Sequence, residues 1–102
     1  MNVDANNLQV VHNPSEHRFE AWVNDHLSKL DYVLDGNNFV ITSVGVHPEL
    51  RGQGIAGKLT QVGLEYAKER RLRVIPMCPH AAAYIRKNPE YAELTRQPAD
   101  RQ

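Results

Sequence analysis

The chain is poor in cysteine: of its 102 residues, Cys78 alone carries a thiol. That excludes an intrachain disulfide framework and any zinc site built from several cysteines. A lone thiol fits a reducing compartment, so a cytoplasmic protein is the expectation. Net charge is missing too. Twelve Lys and Arg balance twelve Asp and Glu, which leaves no basic excess for nucleic acid or a membrane surface, and neither is expected as a partner. No apolar run approaches the ~20 residues of a membrane span. Met1 to Leu8 is polar and lacks the charged-then-apolar order of a secretory signal. His12, His17 and His26 show no metal-ligand spacing and read as surface or strand-end residues, so no metal is expected. Repeats and low-complexity segments are absent as well. What is there is ordinary globular composition, 41% hydrophobic and 24% charged. The length predicts a single domain over 1–102 with a modest core.

Periodicity supplies the elements. Leu8 to Val11 reads as a short first strand and Asn13-Pro14-Ser15 as a turn. Phe19, Ala21 and Val23 then alternate with Arg18, Glu20 and Trp22, the pattern of a half-buried strand. After a turn at Asn24-Asp25, Leu30, Tyr32 and Leu34 continue on one face, and Asp35-Gly36-Asn37-Asn38 reads as a tight hairpin. Phe39 to Val46 is rich in β-branched residues without polar alternation, which predicts a central strand covered on both faces and stopped by His47-Pro48. Ile55, Leu59, Val62 and Tyr66 form the inward stripe of an amphipathic helix, and Lys68, Arg70 and Arg71 crowd its end. Leu72 to Met77 follows as a second buried strand, then a short helix over Ala81 to Lys87, a stop at Asn88-Pro89 and one more turn over Glu90 to Leu94. Residues 97–102 are expected to fray. The fold class is α+β (α/β): a mixed, mainly antiparallel sheet with one βαβ unit.

The chemistry-bearing stretch lies inside that unit. A strand ends, and Arg51-Gly52-Gln53-Gly54-Ile55-Ala56-Gly57-Lys58 opens a helix. Helix starts leave backbone N–H groups without intrahelical partners and carry partial positive charge, so they hold phosphates well. A tight turn with no ligand would use glycines in the same way. Gly52 to Gly57 followed by Lys58 has P-loop spacing, but Leu59 stands where Mg²⁺ needs a hydroxyl and Thr60 comes one place late. Gly52, Gly54 and Gly57 also satisfy G-x-G-x-x-G. A dinucleotide fold, however, wants this turn first in the chain and an acidic residue ending the next strand, where Met77-Cys78 stands instead.

Val46 to Ala56 resembles the central motif of the GNAT N-acetyltransferase superfamily, [RQ]-x-x-G-x-[GA] after a strand ending V-x-P. Arg51, Gly54 and Ala56 fill its fixed places, with Val46 and Pro48 on the approach. The brevity of the chain, Val74-Ile75-Pro76-Met77-Cys78-Pro79 and Asn88-Pro89-Glu90-Tyr91 resemble a small single-domain branch of that superfamily, over about Arg18 to Leu94. The resemblance implies a sheet splayed between the strands ending at Val46 and Cys78. It implies acetyl-CoA (coenzyme A) as cofactor, its pantetheine arm beside Val44 and Val46 and its pyrophosphate on Arg51 and the backbone of Gly52, Gln53, Gly54, Ile55, Ala56, Gly57 and Lys58. It implies an N-acetyltransferase acting on a small-molecule or protein amine as a monomer or homodimer. A non-catalytic CoA- or acyl-CoA-binding module is the alternative. Acetyl transfer needs a neutral amine, a polarised thioester and a proton for the leaving thiolate. Cys78, which the branch places near the cofactor sulfur, and Tyr84, in the proton donor's place, are the catalytic candidates. His80 is a nearby candidate base. The glutamate the branch often carries before the turn is missing from Ser43-Val44-Gly45-Val46, leaving Glu20, Glu49 and His47 as substitutes. Trp22, Tyr32 and Phe39 read as core or sheet-face residues.

Overall fold

Period-two alternation builds five strands: β1 (Val10–Asn13), β2 (Arg18–Val23), β3 (His26–Asp35), β4 (Asn38–Gly45) and β5 (Arg73–Pro76). The computed structural model describes residues 8–96, so the fraying expected over 97–102 lies outside the described residues. The strands form one sheet in the order β1-β2-β3-β4-β5. The first three pairings are antiparallel, and β4–β5 is parallel. A parallel neighbour requires a crossover, which is helix α1 (Ile55–Glu69). A second helix, α2 (Pro79–Lys87), follows β5, and a 3₁₀ segment over Pro89–Thr95 closes the described chain. No helix is long and apolar enough to cross a membrane among the described residues.

Phe19, Ala21, Leu30, Tyr32, Phe39, Ile41 and Val74 of the sheet share one buried cluster with Ile55, Leu59, Leu64 and Ala67 of α1 and with Ala81 and Ile85 of α2. The helix comes close because Gly63 faces the sheet: a Cβ there would lie 3.3 Å from Leu30 Cδ1. Tyr91 ties the last segment to α1, its hydroxyl donating to Glu65 Oε2 at 2.6 Å. Burial and the Glu65 bond push that phenol up to about 12.

Among the described residues the sheet is covered on one face only, which corrects the expectation for β4. Phe39 and Ile41 are fully buried, whereas Thr42 and Ser43 are exposed, as are Trp22 of β2 (59%) and Val33 of β3 (48%). A β-branched run suits a pleated strand whether one face or both are covered. Val40 pairs with Val33 and Ile75, a small aliphatic patch on the open side. Beside it Lys29 and Asp31 pair at 3.3 Å, and Ser43 donates to Asp31 at 2.9 Å.

The phase of burial along β4 changes at a β-bulge. Asp31 pairs with Ser43 but Tyr32 with Ile41, so Thr42 is the extra residue. The bulge turns Ser43 outward and brings Val44 opposite Leu30, on the inner side. Pairing with β5 stops at the same point: Ile41 opposite Pro76 is its last pair. The Ile41 carbonyl then accepts two N–H groups, from Met77 at 3.0 Å and Cys78 at 3.1 Å, and the strands part.

Gly63→Val is expected to destabilise the fold by roughly 1–3 kcal/mol, because its methyls enter the space of a fully buried Leu30. Denaturant unfolding reads this as a lower midpoint with an unchanged slope.

Candidate functional site

Where β4 leaves the sheet, Val46-His47 leads into a 3₁₀ turn over Pro48–Leu50. Two bonds shape the turn: Leu50 N–H to His47 O at 2.8 Å, and Glu49 N–H to His47 Nδ1 at 3.2 Å. The His47 ring stacks on His26 from the β2–β3 hairpin, with centroids 3.8 Å apart. Leu50, 3% exposed, anchors the loop in the core. Gly52 (φ +81) and Gly54 (φ +83) then adopt left-handed conformations that an L side chain resists. Nothing lies within 4 Å of a Cβ on Gly52, so conformation rather than crowding calls for glycine there.

Helix α1 starts without a side-chain cap. Its first intrahelical bond runs from Lys58 N–H to Gly54 O at 3.0 Å. The N–H groups of Ile55, Ala56 and Gly57 therefore have no intrahelical acceptor, and the helix dipole adds its positive end at the same place. They border a cavity of about 250 Å³. Seven of the expected cofactor-binding residues line it: Val46, Arg51, Gly52, Gly54, Ile55, Ala56 and Gly57. Leu50 and His80 complete the wall. An uncapped helix start, a guanidinium and a concave apolar surface are the features that binding an anion with an apolar extension calls for.

The family model for GCN5-related N-acetyl-transferase matches residues 18–94. The chain belongs to that GCN5-related family. Among solved structures it is similar to a GCN5-like protein of Staphylococcus aureus, a candidate N-acetyltransferase studied by solution NMR, with 28% identity and a TM-score of 0.71. The match covers 94% of this chain and 95% of the other. No curated protein matches the sequence significantly. The five-stranded mixed sheet is thus a GCN5-related fold, and family membership marks the chain as an acetyltransferase.

The other phosphate-binding readings fall away on this fold. Thr60 is fully buried and its hydroxyl donates to Ala56 O at 2.8 Å, so it offers nothing to a metal-bound phosphate. A doubly wound dinucleotide fold needs several parallel strands, and this sheet has one parallel pair.

The remaining site residues fall in different places. Val44 sits on the inner side of β4, opposite Leu30, and Gln53 is half-buried in the turn outside the cavity wall. The Lys58 side chain lines a groove of about 430 Å³ along α1, together with His12, Phe19 and Tyr66. Cys78 is 7% exposed and stands just before α2, its carbonyl accepting from Ala82 N–H at 3.0 Å. Tyr84 lies on α2 with its ring against Gly57, 3.6 Å from where a Cβ would stand. Burial, with the Glu90 and Glu65 charges beside it, raises the Tyr84 pKa. Near neutral pH it is therefore an O–H donor in contact with the first turn of α1.

The substitute bases fare unevenly. His47 Nδ1 accepts the Glu49 N–H, so the neutral ring carries its proton on Nε2 and has no free lone pair. Glu20 is held by Arg18 and by Asn13 at 3.1 Å. The Glu49 carboxylate is exposed, 4.0 Å from His26 Nε2. His12, read as a surface or strand-end residue, is instead half-buried: it stacks on Phe19 at 4.3 Å, and Nε2 lies 2.5 Å from the Tyr32 hydroxyl. Burial and then the Arg70 charge lower its pKa. Only long-range strand pairing reveals that setting, because Phe19 and Tyr32 come from two other strands.

Gly54→Ala is expected to lower stability by about 1–2 kcal/mol, the cost of a Cβ in the left-handed region. A thermal melt checks it; an unchanged midpoint would show that the turn relaxes to another conformation.

Proposed function

We propose that this GCN5-related protein is an acetyl-CoA-dependent N-acetyltransferase. The observation that carries the reading is the uncapped start of α1, opening on a cavity that Arg51 and Val46 also line. A diphosphate with a long, mostly apolar thiol arm fits that pairing of features. Arg51 and the N–H groups of Ile55, Ala56 and Gly57 would hold the pyrophosphate, with Gly52 and Gly54 shaping the cradle. Val44 and Val46 would flank the arm, because β4 beyond Ile41 has no β5 partner. When bound, the cofactor supplies the acetyl thioester.

The rest of the chemistry falls to the chain's own residues. Val46, Leu50 and Ile55 exclude water from the cavity wall. Tyr84 holds a proton on its phenol, where a leaving thiolate could take it. Cys78, buried at the foot of α2 and outside the cavity wall, would accept the acetyl group in transit, its thiol proton passing to the departing cofactor thiolate. The acceptor is a small-molecule or protein amine. Binding without turnover is the second reading. It is favoured by the missing glutamate in Ser43–Val46 and by the occupied lone pair of His47.

Titration calorimetry with acetyl-CoA is expected to show one site of micromolar affinity; silence at millimolar ligand would sink both readings. With a panel of amines, CoA release identifies the enzyme, and its absence across the panel favours the binding module. Where turnover is seen, Tyr84→Phe is expected to lower kcat by about 10²-fold while leaving acetyl-CoA affinity within about two-fold. An unchanged kcat removes Tyr84 as proton donor.

A further inference from the structure

The wall of the cavity at the α1 start is glycine or apolar except at two positions, Arg51 and His80. Arg51 keeps its charge at every working pH. His80 comes from the first turn of α2, a separate element, and it is exposed. Helix α2, like α1, begins without a side-chain cap. The two uncapped helix starts thus border one cavity, with His80 on the second of them. Val46 just past β4 and Ile55, Ala56 and Gly57 on α1 add no titratable side chain, and no carboxylate lines the wall among the described residues. On its own element His80 is near Cys78 and Tyr84 in sequence, and no salt bridge engages its ring among the described residues.

We infer that His80 is an affinity-setting residue for the cofactor's phosphates, a second cation on the wall that Arg51 also lines, present only when its imidazole is protonated. The inference rests on the CoA reading above and adds a dependence which that reading does not require. Imidazole is the side chain whose charge ordinarily changes between about pH 5 and 8. A bound anion favours the protonated ring. The contribution is therefore full at low pH and lost as pH rises through the titration of the ring in the complex. Because His80 is exposed, solvent and salt limit its size to a few-fold.

The test compares CoA dissociation constants by calorimetry for the wild type, His80→Gln and His80→Lys at about pH 5.5 and 8.5 in low salt. The ligand's own phosphate monoester titrates near 6, so the ratio between proteins is read rather than the absolute trend. The wild type is expected to bind up to about five-fold tighter than His80→Gln at the lower pH and equally at the higher. His80→Lys, with a permanent charge, is expected to outbind the wild type at the higher pH by a similar factor. A wild-type to Gln ratio that is the same at both pH values, or no gain from Lys, would overturn the role of His80 while leaving CoA binding intact. No binding by any of the three at either pH would overturn the CoA reading and this inference with it.

Discussion

One backbone carbonyl decides where this sheet stops being a sheet. Ile41 O accepts N–H groups from both Met77 and Cys78, an arrangement open to a carbonyl with two lone pairs. It ends the parallel ladder at Pro76 and directs the chain into α2. One residue later the bulge at Thr42 shifts β4 relative to β3. From there to Gly45, β4 keeps β3 on one side and has no strand on the other. The chain that follows the parted strands supplies the cavity wall, Val46 to Gly57 after β4 and His80 after β5.

The second requirement is that α1 be held rigidly while its first turn stays uncapped. Buried Leu50 and Ile55 pin the turn on both sides, and Leu59 and Leu64 continue the grip along the helix. Gly63 lets the axis approach Leu30 closely. The glycine conformations at 52 and 54 carry the chain from an extended Arg51 into the helix without a side chain that could cap it. Rigid backing with unsatisfied N–H groups is what an anion receptor needs, since the donors need no rearrangement when the ligand arrives.

Much of this was legible in the sequence, for physical reasons that can be named. The alternation of Phe19, Ala21, Leu30 and Tyr32 reflects a sheet with one covered face, and the steps of Ile55, Leu59 and Val62 reflect a helix lying on it. The turn from Arg51 to Gly57 was readable because left-handed backbone and helix starts select few residue types. The bulge was not. Five of the eight residues from Phe39 to Val46 are β-branched, so the run does not mark an inserted residue; the polar pair Thr42-Ser43 is the local sign that the phase changes. The same run was read as covered on both faces because composition cannot distinguish one face from two. The setting of His12 is hidden for another reason: it is made by elements distant in sequence, as is the place of His80, a candidate base by sequence, on the cavity wall. The resemblance puts the Lys58 backbone on the pyrophosphate, yet its N–H already closes the first helical bond and its side chain lies along the other flank of α1.

Amide-resolved NMR titration of the labelled protein with CoA tests most directly whether the α1 start is an anion receptor. The N–H resonances of Ile55, Ala56 and Gly57 should shift most, with Gly52 and Gly54 following at the same ligand concentration. Shifts centred instead on the groove around His12, Phe19 and Tyr66, or no shifts at saturating ligand, would contradict the placement of the cofactor at the turn.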